Sequence, residues 1–465
     1  MSAIDTTAVV LGLPVMKTDL HSDLISMVWV IMAYLLIMTI ATTQVGRLGD
    51  MFGRVRMYNL GFAIFTVFSL FSGLSNSSGE LILFRILQGL GGAFIFANSG
   101  AIIADTFPPN ERGKAFGFTG MGWSIGAIFG ILVGGAFVTF LSWRYIFFIN
   151  VPIGTVATLA GFYLLKEKSP RLKEKLDYGG LVLLGAGLFA FLYGITNITG
   201  SGWKTLYGLE MLAGLLLILS FIILERHIDF PLLDLSILRS RVLTASIFAA
   251  FFQALATFAV LFLLIMYLQG PRGFSPWNSS LLLVPGYVLG GAIAPLSGRL
   301  SDKIGARVVA TLGLSIQIVG VLIYMTLGIS ASIYAVVLGA VVYGSGNSAF
   351  FAPNNSAVMA SAPPRAYGVT SGLLRTLANM GMLSSFALAL LIASLSIPRI
   401  FAFEIFLGAG KINGQLSSAY ITGMHTALLA SIFLLLIAMV LSILRGKESR
   451  TFSEPSPDIH EAKSN

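Results

Sequence analysis

The sequence predicts an all-α integral membrane protein with fourteen spanning helices, built as two six-helix bundles with two extra helices between them. Three observations predict it. Of 465 residues, 56% are hydrophobic and only 11% charged, whereas soluble domains carry roughly 25% charged residues. The apolar residues fall in long runs, and about 260 of them would supply about thirteen spans of ~20 residues each. An eight-residue loop motif also recurs after the second helix of each bundle. This composition excludes a water-soluble enzyme, and the absence of cysteine excludes a secreted disulfide scaffold.

Each run outlasts the ~10–14 residues of a buried soluble helix. The N-terminal bundle, 1–165, takes helix 1 within 1–16, helix 2 at 27–45, helix 3 at 57–75, helix 4 at 80–104, helix 5 at 115–140 and helix 6 at 145–165. A charged cytoplasmic linker, 166–177, leads to two extra helices within 178–228, helix 7 at 178–198 and helix 8 at 207–224. A second linker, 229–241, leads to the C-terminal bundle, 242–444. Its helices are 9 at 242–266, 10 at 279–297, 11 at 308–328, 12 at 332–360, 13 at 367–396 and 14 at 420–444. The polar tail, 445–465, is expected to be disordered.

Loop lysines and arginines set the orientation. Of 29 basic residues, 21 fall in the loops of one side and 6 on the other, and Arg85 and Arg375 lie inside spans. Both termini are therefore expected in the cytoplasm. The net charge of +9 reads as membrane topology rather than as a nucleic-acid footprint. The expected partners are a lipid bilayer, protons and a small substrate, with no nucleic acid and a monomeric chain.

Gly46-Arg47-Leu48-Gly49-Asp50-Met51-Phe52-Gly53 and Gly298-Arg299-Leu300-Ser301-Asp302-Lys303-Ile304-Gly305 both read G-R-L-x-D-x-x-G, 252 residues apart. Paired repeats of this kind build many secondary transporters. The glycines permit a tight turn, and the aspartate can accept from a helix N-terminus or pair with an arginine. Such a loop suits a gate, in which Gly46, Asp50, Gly53, Arg54, Arg56, Gly298, Asp302 and Gly305 take part. An ordinary solvated loop is the alternative.

These residues resemble the major facilitator superfamily, specifically its fourteen-helix drug:proton antiporter branch of multidrug efflux type. The doubled loop is similar to the signature G-x-x-x-D-x-x-G-R-[RK], which departs at Met51. Ile4-Asp5-Thr6-Thr7 with Leu13-Pro14 resembles L-D-x-T…L-P, and Trp29 with Tyr34 resembles W…Y. Arg85, Gln88 and Gly89 resemble R-x-x-Q-G. The stretch 142–154 is similar to a branch signature at helix 6, and Pro353-Asn354-Asn355 to a helix 12 motif. The resemblance implies a cell-membrane protein, of prokaryotic type, that exports small amphipathic compounds by alternating access. The proton gradient would supply the energy, with no cofactor, no metal and no catalytic residue.

An ionisable group at bilayer depth costs at least ~2.5–3.5 kcal/mol and is usually paired and functional. Counted from the outer ends of their helices, Asp5 lies ~13 Å down and Arg85 ~8 Å down at 1.5 Å per residue, near enough to meet. Asp5 is expected to be the proton site and Arg85 its partner, a static structural pair being the alternative. Arg375 either faces the cavity or snorkels to the surface. Outside Asp5 the spans hold almost no acid, which disfavours dications as substrates. Only four residues precede Asp5, too few to reach the cytoplasm. The first span is thus expected to be truncated, with Met1 not the natural start.

Gly122, Gly126, Gly130 and Gly134 form a stripe on helix 5. With Gly135, three of these align with the antiporter signature G-x-x-x-G-P-x-x-G-G, in which Ile131 replaces the proline. Plain helix packing explains such a stripe equally well. Gly122-Trp123-Ser124-Ile125-Gly126 imitates a nucleophile elbow but lacks the strand one needs. His425 is expected to be a satisfied polar group. A mostly apolar cavity with a few polar groups could draw on Trp29, Tyr34, Gln88, Asn98, Trp123, Gln253, Tyr287, Asn347 and Asn354, each of which could instead pack between helices. A transporter of one metabolite, in either direction, and a non-transporting sensor are the other functions the sequence allows.

Overall fold

The structure, a computed structural model, describes residues 1–107, 112–167, 176–228, 240–362, 367–396 and 415–446. The proposed tail from 447 onward and most of both linkers lie outside the described residues. Among those described, every regular element is helical. The helices are α1 (Ser2–Asp19), α2 (Leu24–Phe52), α3 (Arg54–Leu74), α4 (Ser78–Thr106), α5 (Arg112–Phe140) and α6 (Tyr145–Leu164, with one non-helical residue at Ile149). Then come α7 (Tyr178–Ser201), α8 (Thr205–Glu225), α9 (Arg241–Gln269), α10 (Pro276–Ile304), α11 (Ala306–Tyr324), α12 (Ile333–Ser361), α13 (Tyr367–Ser396) and α14 (Gln415–Leu444). Several helices outrun their apolar stretches, because polar residues carry them past the hydrocarbon. Asp23, Ser77, Asp177, Ser275 and Ser332 each accept a backbone N–H from the first turn of α2, α4, α7, α10 and α12, satisfying donors that a helix start leaves unpaired.

The loop repeat has a backbone counterpart. Gly53 and Gly305 end α2 and α10 at φ of 109° and 96°, a region open to glycine and strained for other residues. Helix packing repeats as well. In the N-terminal half α1 packs on α5, α2 and α3 on α4, and α3 on α6. In the C-terminal half α9 packs on α13, α10 and α11 on α12, and α11 on α14. The halves meet along two seams, α5 on α10 and α2 on α13, which exchange places under the same repeat. Thr43 and Thr376 share a 2.7 Å hydrogen bond across the second seam.

The two extra helices differ from one another. α7 lies against both α2 and α13 and so flanks a seam, while α8 packs on α7. The outer face of α8 exposes Leu206, Leu209, Leu212, Leu216, Leu219 and Ile223, the all-apolar surface expected where lipid is the solvent. α8 is thus the lipid-facing helix of the two, and α7 a helix between bundles.

Candidate functional site

Asp5, Arg85 and Gln88 form a closed polar triangle inside the N-terminal half. The Asp5 side chain is 0% exposed and that of Arg85 1%. Arg85 Nη1 donates to Asp5 Oδ2 at 2.5 Å and to Gln88 Oε1 at 2.7 Å. Gln88 Nε2 donates to Asp5 Oδ1 at 3.0 Å and to Ser69 Oγ at 2.7 Å. Arg85 Nε donates to the Val30 carbonyl at 3.1 Å, and its guanidinium lies 4.2 Å from the centre of the Tyr34 ring. Both carboxylate oxygens are thus engaged, and the cation has a counter-ion, two neutral acceptors and a ring face. Protonating Asp5 would remove the counter-ion and leave Arg85 poorly compensated.

The glycine stripe of α5 makes this placement possible. A Cβ on Gly126 would meet Ala3 at 3.1 Å, one on Gly130 the Ile4 carbonyl at 2.6 Å, and one on Gly134 Ala8 at 2.8 Å. These three glycines let α1 lie directly on α5, so packing explains them. Gly122 meets nothing within 4 Å, and Gly135 faces Pro276 and Ser280 of α10 instead. Ile131 is buried. Just before the start of α6, Trp143 Nε1 donates to Asp19 at 2.8 Å and Arg144 donates to the Gly73 carbonyl at 3.0 Å. The 142–154 stretch thereby ties α6 to the ends of α1 and α3.

A cavity of about 260 Å³ lies between the two halves. Six of the nine expected residues line it: Tyr34, Trp123, Gln253, Tyr287, Asn347 and Asn354. Three do not. Trp29 packs outward against Phe189 and Tyr193 of α7, with ring centroids 5.2 and 6.1 Å away. Gln88 is consumed by the triangle. Asn98 turns back on its own helix and donates to the Phe94 carbonyl at 2.9 Å, its oxygen lying against Gly49. Asp5 does not line the cavity either, although its neighbours Ser2, Thr6 and Thr7 do. The Tyr34 ring stands between, touching Arg85 on one face of the wall and lining the cavity on the other. Sequence reasoning missed Thr257, Tyr343, Asn355 and Asn379 and left Arg375 open, yet all five line the cavity. The spacing of Arg375 and Asn379 on one helix face was the available signal.

The C-terminal half carries a neutral network on the helices that match α1, α3 and α4. Gln253 Nε2 donates to Asn347 Oδ1 at 2.6 Å, and Gln317 Nε2 donates to Thr257 Oγ1 at 2.9 Å. By the 252-residue offset Thr257 stands where Asp5 stands. The buried ion pair therefore belongs to one half alone among the described residues. His425 lies within 3.0 Å of the Leu327 carbonyl through Nε2.

At the loop repeat, Arg54 pairs with Asp50 at 2.7 Å and with Asp105 at 2.5 Å, joining α2, α3 and α4. Glu167 accepts from the Val55 N–H at 3.0 Å at the start of α3. A Cβ on Gly46 would lie 3.8 Å from that of Ala97, and Arg56 lies in the first turn of α3. These contacts stay within the N-terminal half. In the second copy Ala306 occupies the place of Arg54. Gly298 is buried and accepts from Ser301 Oγ at 2.7 Å.

The sequence profile of the Major Facilitator Superfamily matches residues 1–386. The chain belongs to that superfamily. It is 31% identical to the riboflavin transporter RibZ of Clostridioides difficile over 83% of each chain. It is 30% identical to the tetracenomycin C resistance and export protein of Streptomyces glaucescens, over 85% of this chain and 74% of that one. It is 29% identical to the multidrug resistance protein Stp of Mycobacterium tuberculosis, over 83% and 72%. A bacterial homologue of the human lysosomal transporter Spinster, in an inward-facing and occupied conformation, superposes with a TM-score of 0.62 at 19% identity over 95% and 93% of the two chains. The chain is thus a major facilitator transporter with the fold of its superfamily.

Proposed function

We propose that the chain is a proton-coupled exporter of small amphipathic compounds, of the fourteen-helix drug:proton antiporter branch, with both termini in the cytoplasm of a prokaryotic cell. The observation that carries this reading is the buried Asp5–Arg85–Gln88 triangle, which touches the cavity-lining Tyr34 ring through Arg85. In this reading a proton on Asp5 releases Arg85, the shift reaches the cavity through Tyr34 and α1, and the halves rock along the α2–α13 and α5–α10 seams. The Asp50–Arg54–Asp105 cluster and the hinges at Gly53 and Gly305 act as gates. The tetracenomycin and Stp relatives support export, and the basic loops support the orientation.

Inverted vesicles containing the chain test this with an imposed pH gradient and a panel of amphipathic dyes of differing charge. At least one dye should accumulate, and a protonophore should collapse the gradient. Asp5→Asn should bind that dye but not accumulate it. An Asp5→Asn chain that still concentrates dye against its gradient would refute the proton role. A second reading, carriage of one flat metabolite, is supported by the riboflavin transporter relative and by Ile131 in place of the antiporter proline. It predicts that a single compound competes with every dye transported.

A further inference from the structure

Arg375 is a half-buried cation with no ion-pair partner among the described residues. It lies on α13 at the cavity wall, with its guanidinium 5.8 Å from the Phe96 ring centre and 5.5 Å from that of Phe351. Among the described residues no carboxylate lies within ion-pair distance and no group accepts a hydrogen bond from it. The ring faces offset part of the cost of holding the charge there. They leave the guanidinium donors, at the cavity wall, without acceptors among the described residues. One turn further along α13, Asn379 lines the same cavity and is 4% exposed. Its Nδ2 has no partner, although a buried donor left unmade costs about 1–3 kcal/mol. Two idle donors, one of them charged, therefore stand one helical turn apart in the wall of one cavity. Among the described lining residues there is no Asp, Glu or Lys, so Arg375 sets the sign of the cavity.

We propose that the cavity takes amphipathic anions. The acidic oxygens of the substrate meet Arg375 and accept from Asn379 Nδ2. Its apolar body lies against Trp123, Tyr287 and Met382. This rests on the reading of the cavity as the transporter's substrate site, and it names the chemical class that site selects. The charge of the Asp5–Arg85 pair is internally balanced, so it does not compete for the anion.

The test uses the full chain in phosphatidylcholine nanodiscs and three probes with one ring system: 9-anthracenecarboxylate, 9-anthracenemethanol and 9-(aminomethyl)anthracene. Quenching of tryptophan fluorescence reports binding, since Trp123 lines the cavity. The carboxylate should bind at least about tenfold more tightly than the ammonium, a difference of about 1.4 kcal/mol. Arg375→Gln should abolish that preference and leave the affinity for the alcohol within about twofold, which also shows that the variant is folded. Arg375→Lys should keep the preference for the acid, and Asn379→Leu should weaken carboxylate binding about threefold or more. Equal or tighter binding of the ammonium by the unaltered chain overturns the proposal. So does an Arg375→Gln chain that keeps the carboxylate preference, or a chain that binds none of the three probes. In the vesicle assay, pH-driven uptake of the alcohol or ammonium with no carboxylate binding would sink this inference and leave the transport reading intact. Arg375-dependent carboxylate binding with no pH-driven uptake of any dye would do the reverse.

Discussion

Removing one member of the Asp5–Arg85 pair should cost far more than removing both. In Asp5→Asn, Arg85 keeps the Gln88 oxygen at 2.7 Å, the Val30 carbonyl at 3.1 Å and the Tyr34 ring at 4.2 Å, but loses its counter-ion. In Arg85→Gln, Asp5 keeps the Gln88 amide at 3.0 Å but loses the guanidinium that balances its charge. Breaking a buried pair on one side costs about 3–5 kcal/mol, while replacing the whole pair with neutral groups is often close to neutral. The double variant Asp5→Asn, Arg85→Gln should therefore be more stable than either single one. The coupling should be about 3 kcal/mol or more, well above the ~0.5 kcal/mol scatter of independent sites. Equilibrium unfolding in mixed micelles, run on all four proteins, gives the cycle. A double variant whose loss equals the sum of the two single losses would refute the view that these charges compensate one another. Transport should still fail in the double variant, because stability and proton coupling rest on different properties of the same pair.

Two further outcomes follow from close approach and backbone geometry. Gly130→Ala would place a Cβ 2.6 Å from the Ile4 carbonyl of α1, whereas Gly122→Ala meets nothing within 4 Å. The gain in helix propensity is common to both, so thermal unfolding should find the Gly130 variant less stable than the Gly122 variant by about 1–3 kcal/mol, and equal stabilities would contradict the α1–α5 contact. Gly305→Ala also has open space around it but sits at a φ of 96°. It should lose about 1–2 kcal/mol from backbone strain alone, and an unchanged melting curve would show that α10 does not end in that conformation.

The spans were legible because bilayer depth demands about twenty apolar residues in a row, a constraint each helix meets in its own local sequence. Twelve helices kept within about five residues of their expected limits, and the shifts at α2 and α10 come from polar caps and loop residues continuing the helix. The repeat was legible because a left-handed glycine, which few other residues replace, marks the same turn twice. Pairing of Asp5 with Arg85 could be anticipated from charge and depth, since a lone charge in hydrocarbon is costly enough to demand a partner.

Tertiary structure decided everything that depends on which way a helix faces. Trp29, Gln88 and Asn98 carry the chemistry of a binding site, yet α7, the buried triangle and the α4 backbone claim them. Fourteen spans in a row contain no information about which two form a seam, because the lipid is as apolar as the neighbouring helix and hydrophobicity alone cannot choose between them. Small residues choose: Gly126, Gly130 and Gly134 bring α1 onto α5, and Thr43 meets Thr376 between α2 and α13. Sequence by itself determined how many helices there are, which end is basic and which charges must be accounted for. Only the packing decided that Asp5 spends its charge on Arg85 while Arg375, with no such neighbour, turns its charge to the cavity.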